Sequence, residues 1–304
     1  MVEDIGQIIS NGFGTYKKNL NISIPFILNF FITILLVVLF AIFVIAGIFG
    51  SSLSKIENVK TPEDLISILG PLIAQNIMEI AILFMIFLML AFFIGAYFIS
   101  GAIGMAIQAT ESGKSSLFAM RDAGKKNFVN MFFAEILFGL LSLVGVVFIV
   151  PGAMKIDISQ MSTSANTGAF ALLLGGFLLW GAYLVILSIL LAVFRYALVA
   201  DNLGPLESIT TGLSFFKKYK SDVFLLFIFV LVVSFVLILI DQIMGQIPVI
   251  SIIWSFINFI ISLIIIPPLT TIWWVRLYMS RTDRKLYFDD LLAHPNELNE
   301  IKSS

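Results

Sequence analysis

The chain has 304 residues, 60% of them hydrophobic and only 12% charged, with a formal net charge of -1. Soluble domains carry about 25% charged residues, so this composition excludes an ordinary water-soluble fold, and the near-zero charge gives no case for a nucleic-acid partner. No cysteine is present and the one histidine, His294, lies in a polar C-terminal stretch, which excludes thiolate and disulfide chemistry and histidine metal sites or relays in the apolar segments.

In chain order, Glu3 and Asp4 stand where a cleavable signal would carry basic residues. The first apolar run, Ile22 to Phe49, therefore reads as a span kept in the mature protein. A polar loop from Ser51 to Pro71 holds Lys55, Glu57, Lys60, Glu63 and Asp64. The second run, Ile73 to Gln108, exceeds the roughly 20 residues a bilayer needs and predicts tilt, a kink or protrusion. Gly95, Gly101 and Gly104 are its places for bending or close packing. The third run, Phe128 to Val150, stops at Pro151. A loop with Lys155 and Asp157 leads to the fourth, Ala169 to Ala200. The fifth, Val223 to Ile240, turns at Gly245 and Pro248 into the sixth, Val249 to Tyr278, and a polar tail follows from Ser280. Transmembrane strands are about 9–11 residues of alternating polarity, and these runs are longer and do not alternate. They predict an all-α polytopic transmembrane helical bundle of about six spans, one transmembrane domain over 1–279 with a polar tail over 280–304.

Basic residues cluster in alternate loops: Lys17 and Lys18; Lys114, Arg121, Lys125 and Lys126; Lys217, Lys218 and Lys220; Arg281, Arg284 and Lys285. The intervening loops hold only Lys55, Lys60 and Lys155. The positive-inside rule then places the protein in the cell membrane with both termini and the tail cytoplasmic. One unit also recurs three times, over about 1–110, 111–200 and 201–279: a short amphipathic segment, a lysine pair and two spans. The apolar positions Ile5, Ile8, Ile9, Phe13 and Tyr16 in the first, and Leu206, Ile209, Leu213 and Phe216 in the third, follow helical spacing. The middle segment, around Leu117 and Met120, is less regular. Ser115 and Ser116 can cap it, and Pro205 suits the first turn of the third. Such helices would lie in the cytoplasmic headgroup layer. Lys17, Lys18, Lys125, Lys126, Lys217 and Lys218 are then the candidate lipid-headgroup contacts, each contributing roughly 1 kcal/mol. The same segments could simply anchor the spans. Parallel two-span units speak against an inverted-repeat transporter.

The stretch Phe194-Arg195-Tyr196-Ala197-Leu198-Val199-Ala200-Asp201-Asn202-Leu203-Gly204-Pro205-Leu206-Glu207-Ser208-Ile209 resembles an element in the membrane domain of glycerophosphoryl diester phosphodiesterase and in related uncharacterised prokaryotic multi-pass proteins. There a span ends near an aromatic-rich stretch, a short acidic-Gly-Pro turn follows, and an amphipathic helix leads to the next span. The resemblance implies fold and membrane placement. It does not imply the esterase activity, which resides in a separate soluble domain for which this chain has no room.

Glu135 lies about eight residues into the third run, roughly 12 Å below its start. An ionised carboxylate there is expensive, so it should be protonated, paired or facing water. Arg195, near the cytoplasmic end of the fourth run, is at a matching depth and is its candidate partner in an intramembrane polar site; the alternative is a snorkelling arginine. Arg276 reads as snorkelling too, beside an interfacial belt of Trp273, Trp274 and Tyr278. Glu79 and Asp241, with Gln75, Asn76, Gln242 and Gln246 nearby, are either an external vestibule or solvated span ends. Pro267-Pro268 is a candidate broken helix, since prolines free carbonyls that must be satisfied locally. Gly175, Gly176 and Gly181, and the pair Ser100 and Gly104, permit close helix approach. Gly113-Lys114-Ser115 ends like a phosphate-binding loop, but Gln108 stands where the motif needs glycine, so no nucleotide partner is expected. Nor is a cofactor. The expected partners are membrane lipids, with a protein partner or a second copy as further options. These residues support lipid or small-solute handling within the bilayer, or permeation. The alternative is an accessory scaffold, and an intramembrane enzyme has the least support, so the protein is not expected to be one.

Overall fold

The computed structural model describes residues 3–48, 50, 61, 70–155 and 167–287. The loop positions Lys55, Glu57, Lys60, Glu63, Asp64 and Asp157 and the tail with His294 lie outside the described residues.

Helix α1 (Ile5–Lys18) starts on a capping box. Gln7 N–H donates to Asp4 Oδ1 at 2.8 Å and Asp4 N–H to Gln7 Oε1 at 3.0 Å, satisfying two of the orphan donors of the first turn. The spans follow as α2 (Ile24–Ile42), α3 (Ile77–Ser112), α4 (Leu117–Val144), α5 (Thr167–Leu190) running into α6 (Phe194–Asp201), α8 (Lys220–Met244), and α9 (Pro248–Ile260) running into α10 (Ile266–Arg281). Helix α7 (Pro205–Lys218) precedes α8. Among the described residues six helical stretches are long and apolar enough to cross a membrane, and no strand occurs. Large apolar side chains such as Phe31, Phe133, Leu178 and Phe235 point outward along them, as a bilayer requires. The protein is an all-α, multi-pass integral membrane protein.

The 36-residue α3 stays helical through Gly95, Gly101 and Gly104. Two of these glycines admit α4: a Cβ at Gly101 would strike Met120, and one at Gly104 would strike Ala123. The turn between α3 and α4 needs Gly113, whose φ is +79°. Ser116 caps α4 by accepting from Ala119 N–H at 3.2 Å. Two asparagines clasp this turn. Asn19 accepts from Ser115 N–H at 2.6 Å and donates to Gly113 O at 3.0 Å, while Asn21 exchanges bonds with Ser115 Oγ and O at 2.6 and 3.0 Å. The Gly113-Lys114-Ser115 sequence is thus a helix-to-helix turn.

Of the three short segments, α1 and α7 are separate 14-residue helices ending on their lysine pairs. The middle one departs from the expectation, because Leu117 to Val144 is one helix running through Lys125-Lys126. The residue after each pair decides the difference. Asn19 is drawn to the Gly113 turn, and Tyr219 Oη donates to Arg281 O at 2.8 Å, so both leave helical geometry. Asn127 bonds its own helix instead, donating to Ala123 O at 3.2 Å.

Helix α1 buries Ile8, Gly12 and Tyr16, one face at i, i+4 and i+8, against α10. Trp273 Nε1–H donates to Ile9 O at 3.2 Å, and a Cβ on Gly12 would collide with the Trp273 ring. Gly12→Ala should therefore lower the thermal unfolding midpoint in detergent, by about 1–3 kcal/mol of overpacking. An unchanged midpoint would show that Trp273 can swing aside.

Pro267-Pro268 does not break its span. A π-helical turn (Ile261–Ile265) precedes the prolines, which occupy the first turn of α10. Pro268 has no N–H for Ile264 O, and that carbonyl accepts from Tyr16 Oη at 2.7 Å and Ser23 Oγ at 2.8 Å. The freed acceptor ties α1 and α2 to the last span.

Candidate functional site

Glu135 projects from the middle of α4, where its neighbours Met131, Phe132 and Ala134 are buried. Arg195 is the second residue of α6, just past an interruption at residues 191–193. There Ala192 N–H turns to Ile189 O and Phe194 N–H to Leu191 O, both at 3.3 Å, in place of the carbonyls one residue earlier. The structure brings the two side chains together in a fork. Arg195 Nε donates to Glu135 Oε1 at 2.5 Å and Nη2 to Oε2 at 2.9 Å. Such a bidentate pair fixes geometry as well as charge.

The pair is asymmetric in exposure. Glu135 keeps 10% of its side-chain surface and Arg195 keeps 39%. Arg195 lines an open cavity of about 310 Å³ between α4, α5, α6, α8 and α10, with Phe138, Ser188, Phe227, Thr270 and Trp274 among its walls. Phe138 and Phe194 stack at 5.6 Å, and the Arg195 guanidinium carbon sits 5.4 Å from the Phe194 ring centre and 6.0 Å from that of Phe138. Trp274 stacks on Tyr196 at 6.3 Å. A guanidinium has five N–H donors. The fork uses Nε and Nη2, and Nη1 makes no hydrogen bond to the described residues. The cavity therefore combines mostly apolar walls, three hydroxyl-bearing residues (Ser188, Tyr196 and Thr270) and the unspent cationic donors of Nη1.

A second ion pair corrects the expectation for Arg276. It does not snorkel: it is 1% exposed, and so is its partner Glu3. Arg276 Nη2 donates to Glu3 Oε1 at 2.5 Å, Nε to Oε2 at 3.1 Å and Nη1 to Thr15 Oγ1 at 3.1 Å. Asn11 Nδ2–H adds a bond to Glu3 Oε1 at 2.7 Å, Glu3 N–H donates to Ser280 Oγ at 2.8 Å, and Arg281 Nη1 reaches Glu3 O at 2.8 Å. Trp273, Trp274 and Tyr278 are buried as well, so they form core and not an interfacial belt. Helix α1 covers Trp273 and Arg276 with its Gly12 face, while Trp274 lies against Tyr196 and Tyr278 against Phe215. Further ties gather here: Arg281 to Asp222 at 2.6 Å, Arg284 and Tyr278 to Asp201, and Tyr287 N–H to Thr110 O at 2.7 Å.

Lys17, Lys18, Lys125, Lys126, Lys217 and Lys218 are all exposed. Glu79 is exposed too, and Asp241 accepts from Trp254 and Asn258. No group of three metal-ligating side chains occurs among the described residues. No family model matches the chain, and neither does a curated protein or a solved structure.

Proposed function

We propose that this membrane protein handles phospholipids, taking the phosphate of a lipid headgroup at Arg195 while the acyl chains lie along the aromatic and aliphatic walls of the adjoining cavity. The observation that carries this reading is the half-open guanidinium. Glu135 cancels its charge and holds its orientation, so the arginine can sit in a span at tolerable cost, yet Nη1 remains available beside an apolar cavity. Phosphate suits that fork geometry, and arginine is the side chain of choice for it. The reading assigns binding and no reaction to the chain. It extends to the resemblance around Phe194 to Ile209, proposed as kinship in fold alone.

Orientation belongs to the same proposal. Hydrogen bonds from Asn19 to Gly113, Tyr219 to Arg281 and Arg284 to Asp201 gather the four basic clusters at one end of the bundle. By the positive-inside rule that end faces the cytoplasm of the cell membrane, with both termini on that side. The exposure of the three lysine pairs favours a second reading, an accessory scaffold that collects anionic lipid or a protein partner on this face.

The test replaces the pair together. Glu135→Leu with Arg195→Leu leaves no unpaired intramembrane charge, and such swaps are often neutral for folding. Purified protein in detergent is titrated with phosphatidylglycerol, phosphatidylethanolamine, diacylglycerol and inorganic phosphate, and bound lipid is counted by native mass spectrometry. Phospholipid affinity should fall about tenfold or more in the double variant, the loss of about 1.4 kcal/mol expected for one charged hydrogen-bond partner. Diacylglycerol should not distinguish the proteins. Equal phospholipid binding by both would remove Arg195 from the function and leave the scaffold reading.

A further inference from the structure

From mid-span towards the end of the bundle opposite the lysine pairs, α8, α9 and the π-turn line a second open cavity of about 240 Å³, walled by Ser234, Asp241, Asn258 and Ser262 among apolar residues, with Asp241 and Ser262 exposed. We infer that this cavity is a binding site for a partly hydrated alkali cation, sodium or potassium, with Asp241 as the charged ligand.

Hydrogen-bond accounting carries the inference. Asp241 Oδ1 accepts from both Trp254 Nε1 at 3.1 Å and Asn258 Nδ2 at 3.2 Å. Both donate to the same oxygen, so Asp241 Oδ2 accepts no hydrogen bond from the described residues. Ser234 directs its hydroxyl hydrogen to Val230 O at 2.9 Å, inside its own helix, and presents lone pairs. Ser262 Oγ donates to Asn258 Oδ1 at 3.4 Å and likewise presents lone pairs. What the walls offer a guest is chiefly oxygen lone pairs, from Asp241 Oδ2, Ser234 Oγ and Ser262 Oγ, and one negative charge, the donor set of a hard cation. One carboxylate balances one monovalent charge. No protein cation does so from these helices, because the sequence holds no lysine or arginine between Lys220 and Arg276. The π-turn Ile261–Ile265 carries Ser262, and such turns recur at functional sites. Asp241 is three residues from the end of α8, and Ser234 lies roughly 10 Å deeper at 1.5 Å per residue, so the acceptors run inward from the membrane surface.

Trp254 supplies the readout. In lipid nanodiscs, intrinsic tryptophan fluorescence and the thermal unfolding midpoint are followed while N-methylglucamine chloride is replaced by lithium, sodium or potassium chloride at constant ionic strength. A saturable fluorescence change with sodium or potassium is expected, with a rise in midpoint that grows with cation concentration. Asp241→Asn should weaken the apparent affinity about tenfold or more, and Ser234→Ala by roughly two- to fivefold. Trp254→Phe should remove the fluorescence change and keep the midpoint rise. The inference is overturned if the parent protein shows no saturable difference between alkali cations and N-methylglucamine, if it responds to pH alone, or if folded Asp241→Asn responds as the parent does. Ser234→Ala and the parent decide the matter even if Asp241→Asn does not fold.

Discussion

Arg276→Leu should be the most damaging single substitution in the chain. It leaves Glu3 buried without its cation, and breaking a buried ion pair from one side costs about 3–5 kcal/mol, a large share of the 5–15 kcal/mol that holds a typical domain together. The damage should also spread, because Glu3 accepts from Asn11 and Arg281 and donates to Ser280, and its position sets where α1 lies on α10. The measurement is the folded yield from detergent extraction together with the thermal unfolding midpoint. Arg276→Leu should lose both, and Glu3→Leu with Arg276→Leu should recover most of the midpoint, since an apolar pair of similar volume is often as stable as the ions it replaces. A single variant as stable as the parent would mean that the pair contributes nothing.

Gly176→Val should be nearly as harmful, for a different reason. A Cβ at Gly176 would sit 2.9 Å from Ile149 Cα and press on Phe148 O, and one at Gly152 would sit 2.9 Å from Leu172 C. These obstacles are backbone, so no rotamer change relieves them, and α5 would have to move away from the end of α4. Overpacking typically costs about 1–3 kcal/mol, and both Gly176→Val and Gly152→Val should lie at or above that range. Gly175 and Gly181 supply the control. Nothing lies within 4 Å of a Cβ at either position, so Gly175→Ala should leave the midpoint unchanged or raise it by up to about 1 kcal/mol of helix propensity. Equal effects at Gly175 and Gly176 would refute the packing assignment.

The glycines mark what a sequence can and cannot convey about such a bundle. The spans were legible because length and hydropathy are summed over about 20 residues, and no tertiary detail alters the sum. The encounter of Glu135 with Arg195 was legible because depth in a membrane is a coordinate that the sequence carries. Which of Gly175, Gly176 and Gly181 meets a neighbour depends on helix rotation, which hydropathy does not encode when every face is apolar. Glu3 offered no cue, since an acidic residue near a terminus looks solvated, and its partner lies 273 positions away. The two helix interruptions show the same limit from opposite sides. Pro267-Pro268 announced a break that a π-turn absorbed, whereas the interruption at residues 191–193 falls in Leu191-Ala192-Val193, a run without proline or glycine. Its cause is tertiary: Leu191, Val193 and Phe194 are buried while Arg195 is held to Glu135.

The pairing of Glu3 with Arg276 also sets an order of events during synthesis. Helix α1 leaves the ribosome long before the last span exists, and at about 5–20 residues per second the 273 positions from Glu3 to Arg276 take roughly 14–55 s to translate. Through that interval α1 has neither Arg276 to neutralise Glu3 nor Trp273 to fill the groove at Gly12. Helix α1 therefore completes its packing only after the last span is made, and a chain arrested before Arg276 leaves Glu3 without its cation.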